Sequence, residues 1–231
     1  MESVYEKSQK LLNLLISENT SEECKTIVSR GVAVEESIPE GALLFLGINP
    51  SFDEKRNVEP GTYKLENVRD EGFFKKAFQI AENNGKPFGH HDLFPVRETD
   101  QKFIEGMLVH DGVAYRAKSQ YKDFVEGCLS YAENIIIQSN PSMIVVANAF
   151  VTHLFFDFRF SDNEKTLLGF LPGDKGGIWD EKLGADFVLI NGRNVPILFS
   201  GMLSGQRALD FGSEFRLRWH IGHILRNINQ V

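Results

Sequence analysis

Cysteine is scarce in this sequence, and its scarcity excludes several kinds of site. Cys24 and Cys128 are the only two cysteines in 231 residues, and neither belongs to a CxxC pair. One chain therefore cannot supply a four-cysteine iron–sulfur cluster or an all-cysteine zinc site. Two thiols so far apart in sequence are typical of the reducing cytosol. We expect a cytoplasmic protein in which both are inert residues rather than nucleophiles.

Long apolar runs and an excess of positive charge are also missing. No run of about 18 apolar residues occurs, and the N-terminus has no basic start followed by an apolar stretch. The sequence therefore predicts neither a membrane span nor a signal peptide. The formal net charge of −7 argues against a protein that coats nucleic acid without specificity. The last 27 residues nevertheless carry four Arg against one Asp and one Glu, which fits either a local basic face or ordinary solvated helix surface.

The signatures of the commoner enzyme folds are absent. There is no GxGxxG segment after the first predicted strand, no Walker A lysine and no GxSxG elbow, so dinucleotide, P-loop and α/β-hydrolase sites are not expected.

His220 and His223 are spaced to share a helix face, but no third ligand is evident, and we predict no metal and no other cofactor. A face that packs on the core or binds phosphate is the favoured interpretation of this pair. His90 and His91 are adjacent, so on a strand they would point to opposite faces.

The sequence does contain alternating helical and strand patterns. Amphipathic spacing predicts helices over residues 2–18, 70–84, 121–138, 149–156 and 213–228, with a further short helix from Ser21. Buried strands are predicted over 42–47, 91–96 and 142–147, and a hairpin over 187–199. Residues 48–69, 100–120 and 159–185 are predicted to be loops or irregular. In the last helix, the predicted inner residues are Phe215, Trp219, Ile221, Ile224 and Leu225.

This alternation predicts the fold class. Strands that alternate with helices indicate a three-layer α/β/α sandwich with a central, mostly parallel sheet. At 231 residues one domain suffices, so we predict a single domain over 1–231 in which residues 1–40 form an N-terminal helical extension.

The most informative stretch is an apolar run that stops at Gly47-Ile48-Asn49-Pro50. In open α/β sheets, ligands bind at the carboxyl ends of the strands. Proline fixes its own φ and restricts the residue before it, so Asn49 would be held rigidly at that edge. Three further segments, at residues 92–99, 148–149 and 200–207, also follow predicted strands and would meet it there. Every doubly wound domain has such an edge, so the pattern alone is also compatible with a plain strand end.

With these segments in order, the sequence resembles the uracil-DNA glycosylase superfamily, and most closely its mismatch-specific branch. Gly47-Ile48-Asn49-Pro50 resembles the branch's first motif, and Met202-Leu203-Ser204-Gly205-Gln206-Arg207 resembles its second. Residues 71–77, 92–99 and 143–149 resemble the segments between them. The similarity spans roughly residues 41–226, and it implies a uracil-DNA glycosylase-like fold.

The resemblance also implies a function. It implies a monofunctional DNA glycosylase that removes uracil or a mismatched or damaged base from double-stranded DNA after flipping the base out. Asn49 would position the water that attacks C1′ of the sugar, and Gly47, Ile48 and Pro50 would lie against the base. An amide oxygen can accept a hydrogen bond from water but is not a strong base. The mechanism would therefore depend on stabilising the charge of the departing base.

Further site residues follow from the same resemblance. Tyr63, and secondarily Phe52, lie where the family carries its stacking aromatic ring, although either ring could instead fill the core. In the second-motif loop, Ser204 would bind a phosphate, and Gly205 would lie beside the wedge and backbone contact formed by Gln206 and Arg207. A Gly-rich turn that leads into a helix is the structural alternative.

Departures from the family pattern leave other functions open. Leu203 stands where proline is usual in the second motif, and Asp53 and Glu54 place two acids beside the expected site. One alternative is a catalytically inactive protein of this fold that binds DNA or a nucleotide-like ligand. Another is an enzyme that acts on a different small molecule, with Asp53, Glu54 or Asp92 as its acid or base.

Overall fold

A computed structural model describes residues 3–16, 20–52, 61–63, 72–173, 177–205 and 208–228, and of residues 61–63 it describes the backbone alone. Seven α-helices lie in these ranges. They are α1 (Val4–Leu15), α2 (Glu22–Ser29), α3 (Gly72–Asn83), α4 (Gln101–Gly106), α5 (Lys122–Ser139), α6 (Ala149–Asp157) and α7 (Phe211–Asn227). Single 3₁₀ turns occur at Ser119–Tyr121 and Leu167–Gly169.

Ten strands lie in the same ranges. They are β1 (Ala33–Glu35), β2 (Leu43–Gly47), β3 (Gly61–Tyr63), β4 (Phe88–Asp92), β5 (Leu108–His110), β6 (Tyr115–Ala117), β7 (Met143–Val146), β8 (Ile178–Asp180), β9 (Ala185–Ile190) and β10 (Arg193–Phe199). Six of them form the central sheet in the order β4-β2-β7-β10-β9-β8. The first four are parallel, and β9 and β8 extend the sheet in antiparallel fashion.

Local sequence explains where several elements begin and end. The hydroxyl of Ser3 accepts from the N–H of Glu6, whose carboxylate accepts from the N–H of Ser3, so a capping box starts α1. Asn140 takes the left-handed conformation (φ 45°) and ends α5. Asn191 (φ 50°) and Gly192 (φ 76°) form the two-residue turn of the β9–β10 hairpin, as Asn-Gly predicts.

Two apolar cores lie on the two faces of the sheet, which confirms the predicted three-layer α/β/α sandwich. One core holds α1, α2, α5 and α6 against the sheet, and Leu44, Leu46 and Ile144 point into it. The other holds α3 and α7, and Leu43 and Phe45 point into it. Successive residues of a strand face opposite sides, so β2 supplies both cores. The helices within residues 1–40 pack into the first core.

The cysteines lie in the interior. Cys24 and Cys128 are free, buried thiols of the first core. Burial raises the pKa of both. Neither therefore has the thiolate character that a nucleophile needs at neutral pH.

The structure corrects several boundaries predicted from sequence. The second strand runs over Phe88–Asp92 rather than 91–96, because the buried run begins at Phe88 and the chain turns after Asp92. Residues 100–120 are not irregular but hold α4, β5 and β6. The short strands β1, β3 and β8 carry too few residues for a periodic signal, and the sequence did not predict them.

The inner face of α7 is the largest correction to the predicted core. Ile221 and Ile224 are buried as predicted, but Leu217 is the third large residue inside, whereas Phe215 and Trp219 are exposed to solvent. Two aromatic rings that the sequence assigned to the core therefore lie on the surface.

Candidate active site

The carboxyl ends of the parallel strands meet at one edge of the central sheet. The register pairs Gly47, the last residue of β2, with Asp92, the last residue of β4. Val146, at the end of β7, lies between Leu46 and Phe199. A cavity of about 230 Å³ opens at this edge. It is lined by residues from these strand ends and from the neighbouring helices and loops, namely Gly47, Ile48, Asn49, Pro50, Ser51, Phe73, Phe74, His90, Asp92, Gln101, Ala147, Asn148, Met202 and Ser204.

The amide of Asn49 is fixed by the chain around it. Its Nδ2 donates to the carbonyl oxygen of Glu98 and, over 3.1 Å, to that of Pro50. The Pro50 oxygen also accepts from the N–H of Glu98 over 3.0 Å, so the segment after β4 braces the turn. Among the described residues, the buried Oδ1 of Asn49 has no hydrogen-bond partner. A buried carbonyl without a donor costs about 1–3 kcal/mol, so the side chain holds an unused acceptor in a residue that lines the cavity.

Gly47 makes room for a carboxyl group. A Cβ atom built on Gly47 would lie 2.1 Å from Oδ1 of Asp92 and 3.4 Å from Nε2 of His90. A residue with a side chain would therefore displace the carboxyl from its present place. Nε2 of His90 lies 3.5 Å from Oδ1 of Asp92, and the two residues, spaced i and i+2, share one face of β4.

Burial keeps both of these groups uncharged at neutral pH. Loss of water raises the pKa of Asp92 from 3.8 to about 8. Burial, with a smaller contribution from His91, lowers the pKa of His90 from 6.5 to about 3. The pair is therefore a neutral carboxylic acid beside a neutral imidazole rather than an ion pair. A protonated carboxyl can donate a hydrogen bond to a ligand or give its proton to a leaving group.

Two aromatic rings from the first turn of α3 form a wall of the cavity. Phe73 and Phe74 pack edge to face, with ring centroids 5.4 Å apart. Each also packs against the imidazole of His90, at 5.4 Å and 5.1 Å. The aromatic surface of the cavity therefore comes from α3, which the sequence predicted as a helix but not as part of the site.

Of the two rings predicted to stack on a base, the one that the structure describes lies elsewhere. Phe52 is partly buried, and its ring lies between the guanidinium groups of Arg30, at 4.8 Å, and Arg97, at 5.3 Å. It is not among the residues that line the cavity. The side chain of Tyr63 is outside the described residues, and so are the acids Asp53 and Glu54.

The second-motif loop reaches the cavity through its first half. Ser204 lines it, and the side chain of Ser204 lies 3.4 Å from the place that a Cβ on Gly72 would occupy at the start of α3. Gly205 (φ 88°) follows in a conformation that favours glycine. Gln206 and Arg207, the predicted wedge and backbone contact, lie outside the described residues.

A second cavity, of about 520 Å³, shares Gln101, Asn148 and Met202 with the first. Asn148 caps α6, and its side-chain oxygen accepts from the N–H groups of Phe150, over 2.8 Å, and Val151, over 3.1 Å. The two cavities therefore lie side by side at this sheet edge, and the larger offers space for a part of a ligand outside the smaller chamber.

Two more titratable groups are buried beside β4. Burial raises the pKa of Glu35, on β1, from 4.5 to about 9. It lowers the pKa of His91 from 6.5 to about 4. Neither carboxyl oxygen of Glu35 and neither ring nitrogen of His91 has a hydrogen-bond partner among the described residues. Strands β4 and β1 therefore concentrate four uncharged titratable groups in the interior, namely His90, His91, Asp92 and Glu35.

Sequence reasoning missed His90, Phe73 and Phe74 as lining residues. Neighbouring residues of a strand point to opposite faces, and the structure places His90 on the cavity side. Of the segments predicted to converge, the turn at Asn49, Asp92 and Asn148 do line one cavity.

Comparisons with known proteins add nothing to this geometry. No family model, no curated protein and no solved structure matches the chain. Within the described ranges, no three His, Cys, Asp or Glu residues are grouped so as to hold a metal ion. None of the described helices has the length and apolar character needed to cross a bilayer.

Proposed function

We propose that the protein is a monofunctional DNA glycosylase, which hydrolyses the bond between a flipped base and its sugar. The observation that carries the proposal is the buried acceptor of Asn49, which no described residue uses, in a side chain that lines the same cavity as the neutral acid Asp92. At about 230 Å³, the cavity is smaller than the roughly 300–1,000 Å³ typical of drug-sized ligands, and it suits a single ring system.

The arrangement assigns a role to each of these groups. Oδ1 of Asn49 accepts a hydrogen bond from the attacking water, whose oxygen forms the new bond to C1′ as the bond from C1′ to the base nitrogen breaks. The base leaves with the bonding electron pair and takes a proton from Asp92. The attacking water then returns a proton to the Asp92 carboxylate. Because Asp92 is neutral before the reaction, it can hydrogen-bond to an acceptor on the base from the start.

The walls of the cavity serve the same reaction. The rings of Phe73 and Phe74 exclude water from the base, which strengthens the hydrogen bonds around it. The larger neighbouring depression gives space for the sugar and its phosphates. A cytoplasmic location is part of the proposal and is supported by the two free, buried thiols.

A second candidate is an acid–base enzyme that acts on a small molecule other than DNA. It is favoured by the buried acid Asp92 and by the net charge of −7, which does not attract a polyanion. The same cavity would bind the substrate, but activity would not require a nucleic-acid backbone.

Asn49→Ala is expected to lower the rate of base release at least about 100-fold, because the water loses its acceptor. The assay incubates purified protein with labelled duplexes that contain uracil opposite guanine and measures strand breaks at abasic sites after alkali. Asn13→Ala, the same change on an exposed face of α1, is the matched control and should react like the unmodified chain.

Two results would reject the proposal. An Asn49→Ala rate equal to that of the control would remove the mechanism. No release of any base, from duplexes with uracil, thymine mismatches or damaged bases, would remove glycosylase function. Release from free nucleosides but not from duplexes would instead support the second candidate.

A further inference from the structure

Helix α7 carries a ridge of aromatic rings that no other described part of the protein covers. Phe211 is 87% exposed, Phe215 65% and Trp219 60%. Their spacing of four residues places them in one row along the helix. His223 continues the row, with its ring stacked on Trp219 at 5.1 Å and 9°. Such rows of exposed aromatic rings are rare on a surface that faces only water.

The charges beside this ridge are mostly positive. Arg216 and Arg226 are exposed, and Arg218 is partly so. Glu214, the one acid within the helix, already bridges to Lys76 over 2.7 Å and to Arg218 over 2.7 Å. Arg216 donates to the hydroxyl of Ser213 over 3.0 Å and helps to lower the pKa of Asp210, so its charge is partly offset there, and Arg226 takes part in none of the described salt bridges. The ridge is therefore a basic surface on a chain whose net charge is −7.

The ridge begins next to the candidate active site. Met202 lines the cavity, and its carbonyl oxygen accepts from the N–H of Leu209 over 2.8 Å. Only Asp210, the cap of α7, separates Leu209 from Phe211. A strand that leaves the cavity at Met202 would thus meet the first ring of the ridge.

We propose that the ridge of Phe211, Phe215 and Trp219 binds a single-stranded segment of nucleic acid, with one base stacked on each ring and phosphates on Arg216 and Arg226. The helical rise spaces the rings about 6 Å apart along the axis. Stacked bases in a duplex strand are about 3.4 Å apart. Only an unstacked, extended strand matches the wider spacing, and in a duplex the faces of the bases are not open to a protein ring.

A second copy of this chain fits the ridge less well. A two-fold dimer would bring the same surface of each copy together. Arg216 and Arg226 would then face a second set of arginines, and Glu214 is already occupied. The positive flanks complement phosphates and would repel each other.

The test measures the affinity for a labelled twelve-nucleotide oligothymidylate by fluorescence anisotropy. Its thymines are unpaired rather than mismatched with guanine, so the reaction proposed at the cavity has no mismatch to act on and does not enter the measurement. Phe215→Ala and Trp219→Ala are each expected to weaken binding at least about fivefold. Arg216→Gln and Arg226→Gln should each reduce the slope of log affinity against log salt by about 0.7. The matched control is Trp179→Ala, which removes an exposed tryptophan (51%) from β8 and should leave the affinity unchanged.

A spectroscopic readout separates stacking from nearby contact. Trp179 and Trp219 are the only tryptophans, so in Trp179→Phe the emission reports on Trp219 alone. Stacking on a base is expected to quench this emission on addition of the oligonucleotide.

Because Phe215 and Trp219 are exposed, the alanine variants should unfold at the same urea concentration as the unmodified protein within error.

Three outcomes would overturn the inference. These are no binding at 50 mM salt, equal affinity in the ridge variants and the control, or a concentration-dependent dimer that Trp219→Ala dissociates. The last would make a second copy the occupant. Intact oligonucleotide binding without base release from any duplex would reject the proposed glycosylase alone, and base release without oligonucleotide binding would reject the ridge alone.

Discussion

Replacing Gly47 with alanine is expected to lower the free energy of unfolding by about 2 kcal/mol and to remove the proposed base release. The new methyl group would lie 2.1 Å from Oδ1 of Asp92, far inside van der Waals contact. The carboxyl is buried and has His90 on one side, so it can turn away only by displacing neighbours. Overpacking of this kind typically costs about 1–3 kcal/mol.

Urea unfolding and the duplex assay measure the two effects. Gly106→Ala makes the same chemical change at the end of α4, where the new Cβ would meet nothing within 4 Å beyond its own helix and chain neighbours. Because alanine favours a helix over glycine, this control should keep or slightly raise stability and should leave base release unchanged. The loss of unfolding free energy caused by Gly47→Ala should be smaller when Asp92 is also replaced by alanine, because the clashing carboxyl is gone. An equal cost in both backgrounds would show that the contact between Gly47 and Asp92 is not the cause.

This contact shows how far the sequence could predict the site. The strand end at Gly47 and the position of Asn49 follow from an apolar run that stops at Asn-Pro, and the structure places both at the cavity. The family resemblance assigned Gly47 to base contact. Its close approach to Asp92 depends instead on the register between β2 and β4, which joins residues 45 positions apart. A local pattern has no information about such a register.

Local patterns also fail to predict which face of α7 packs inward, for the same reason. Phe215 and Trp219 lie four residues apart, and Leu217, Ile221 and Ile224 form a second apolar set on the same helix. Periodicity detects both sets but cannot decide which one faces the sheet. The fold decides it, because Leu217, Ile221 and Ile224 join the core with α3. The aromatic set is left outside, so the error itself identified the surface for which we propose nucleic-acid binding.

The stability of the protein is expected to fall by about 3 kcal/mol between pH 6.5 and pH 8. Burial raises the pKa of Asp92 to about 8 and of Glu35 to about 9, so the folded chain keeps two protons that the unfolded chain loses near pH 4. Stability due to these protons is present at low pH and decreases as the pH rises toward the folded pKa values. Below pH 6.5 the two histidines oppose the trend.

The histidines act in the opposite direction because their pKa values are lowered. Burial lowers the pKa of His90 to about 3 and of His91 to about 4, so between pH 4 and 6.5 the unfolded chain binds protons that the folded chain does not. Stability from this source increases with pH and is complete above 6.5. Around pH 5 to 6, the effect of the two carboxyls on the free energy of unfolding therefore nearly cancels that of the two imidazoles. Above pH 6.5 the carboxyls act alone.

Urea unfolding at pH 5, 6.5 and 8 tests this balance. The double variant Asp92→Asn, Glu35→Gln should lose the fall above pH 6.5 and show only the rise that the histidines cause below it. Glu82→Gln, an exposed acid on α3, serves as the control and should keep the fall. A fall that persists in the double variant would show that other groups cause it. A wild-type stability that is level from pH 6.5 to 8 would mean that these carboxyls are already ionised in the folded protein. Asp92 could then no longer donate a proton to a departing base, so the same measurement also bears on the proposed mechanism.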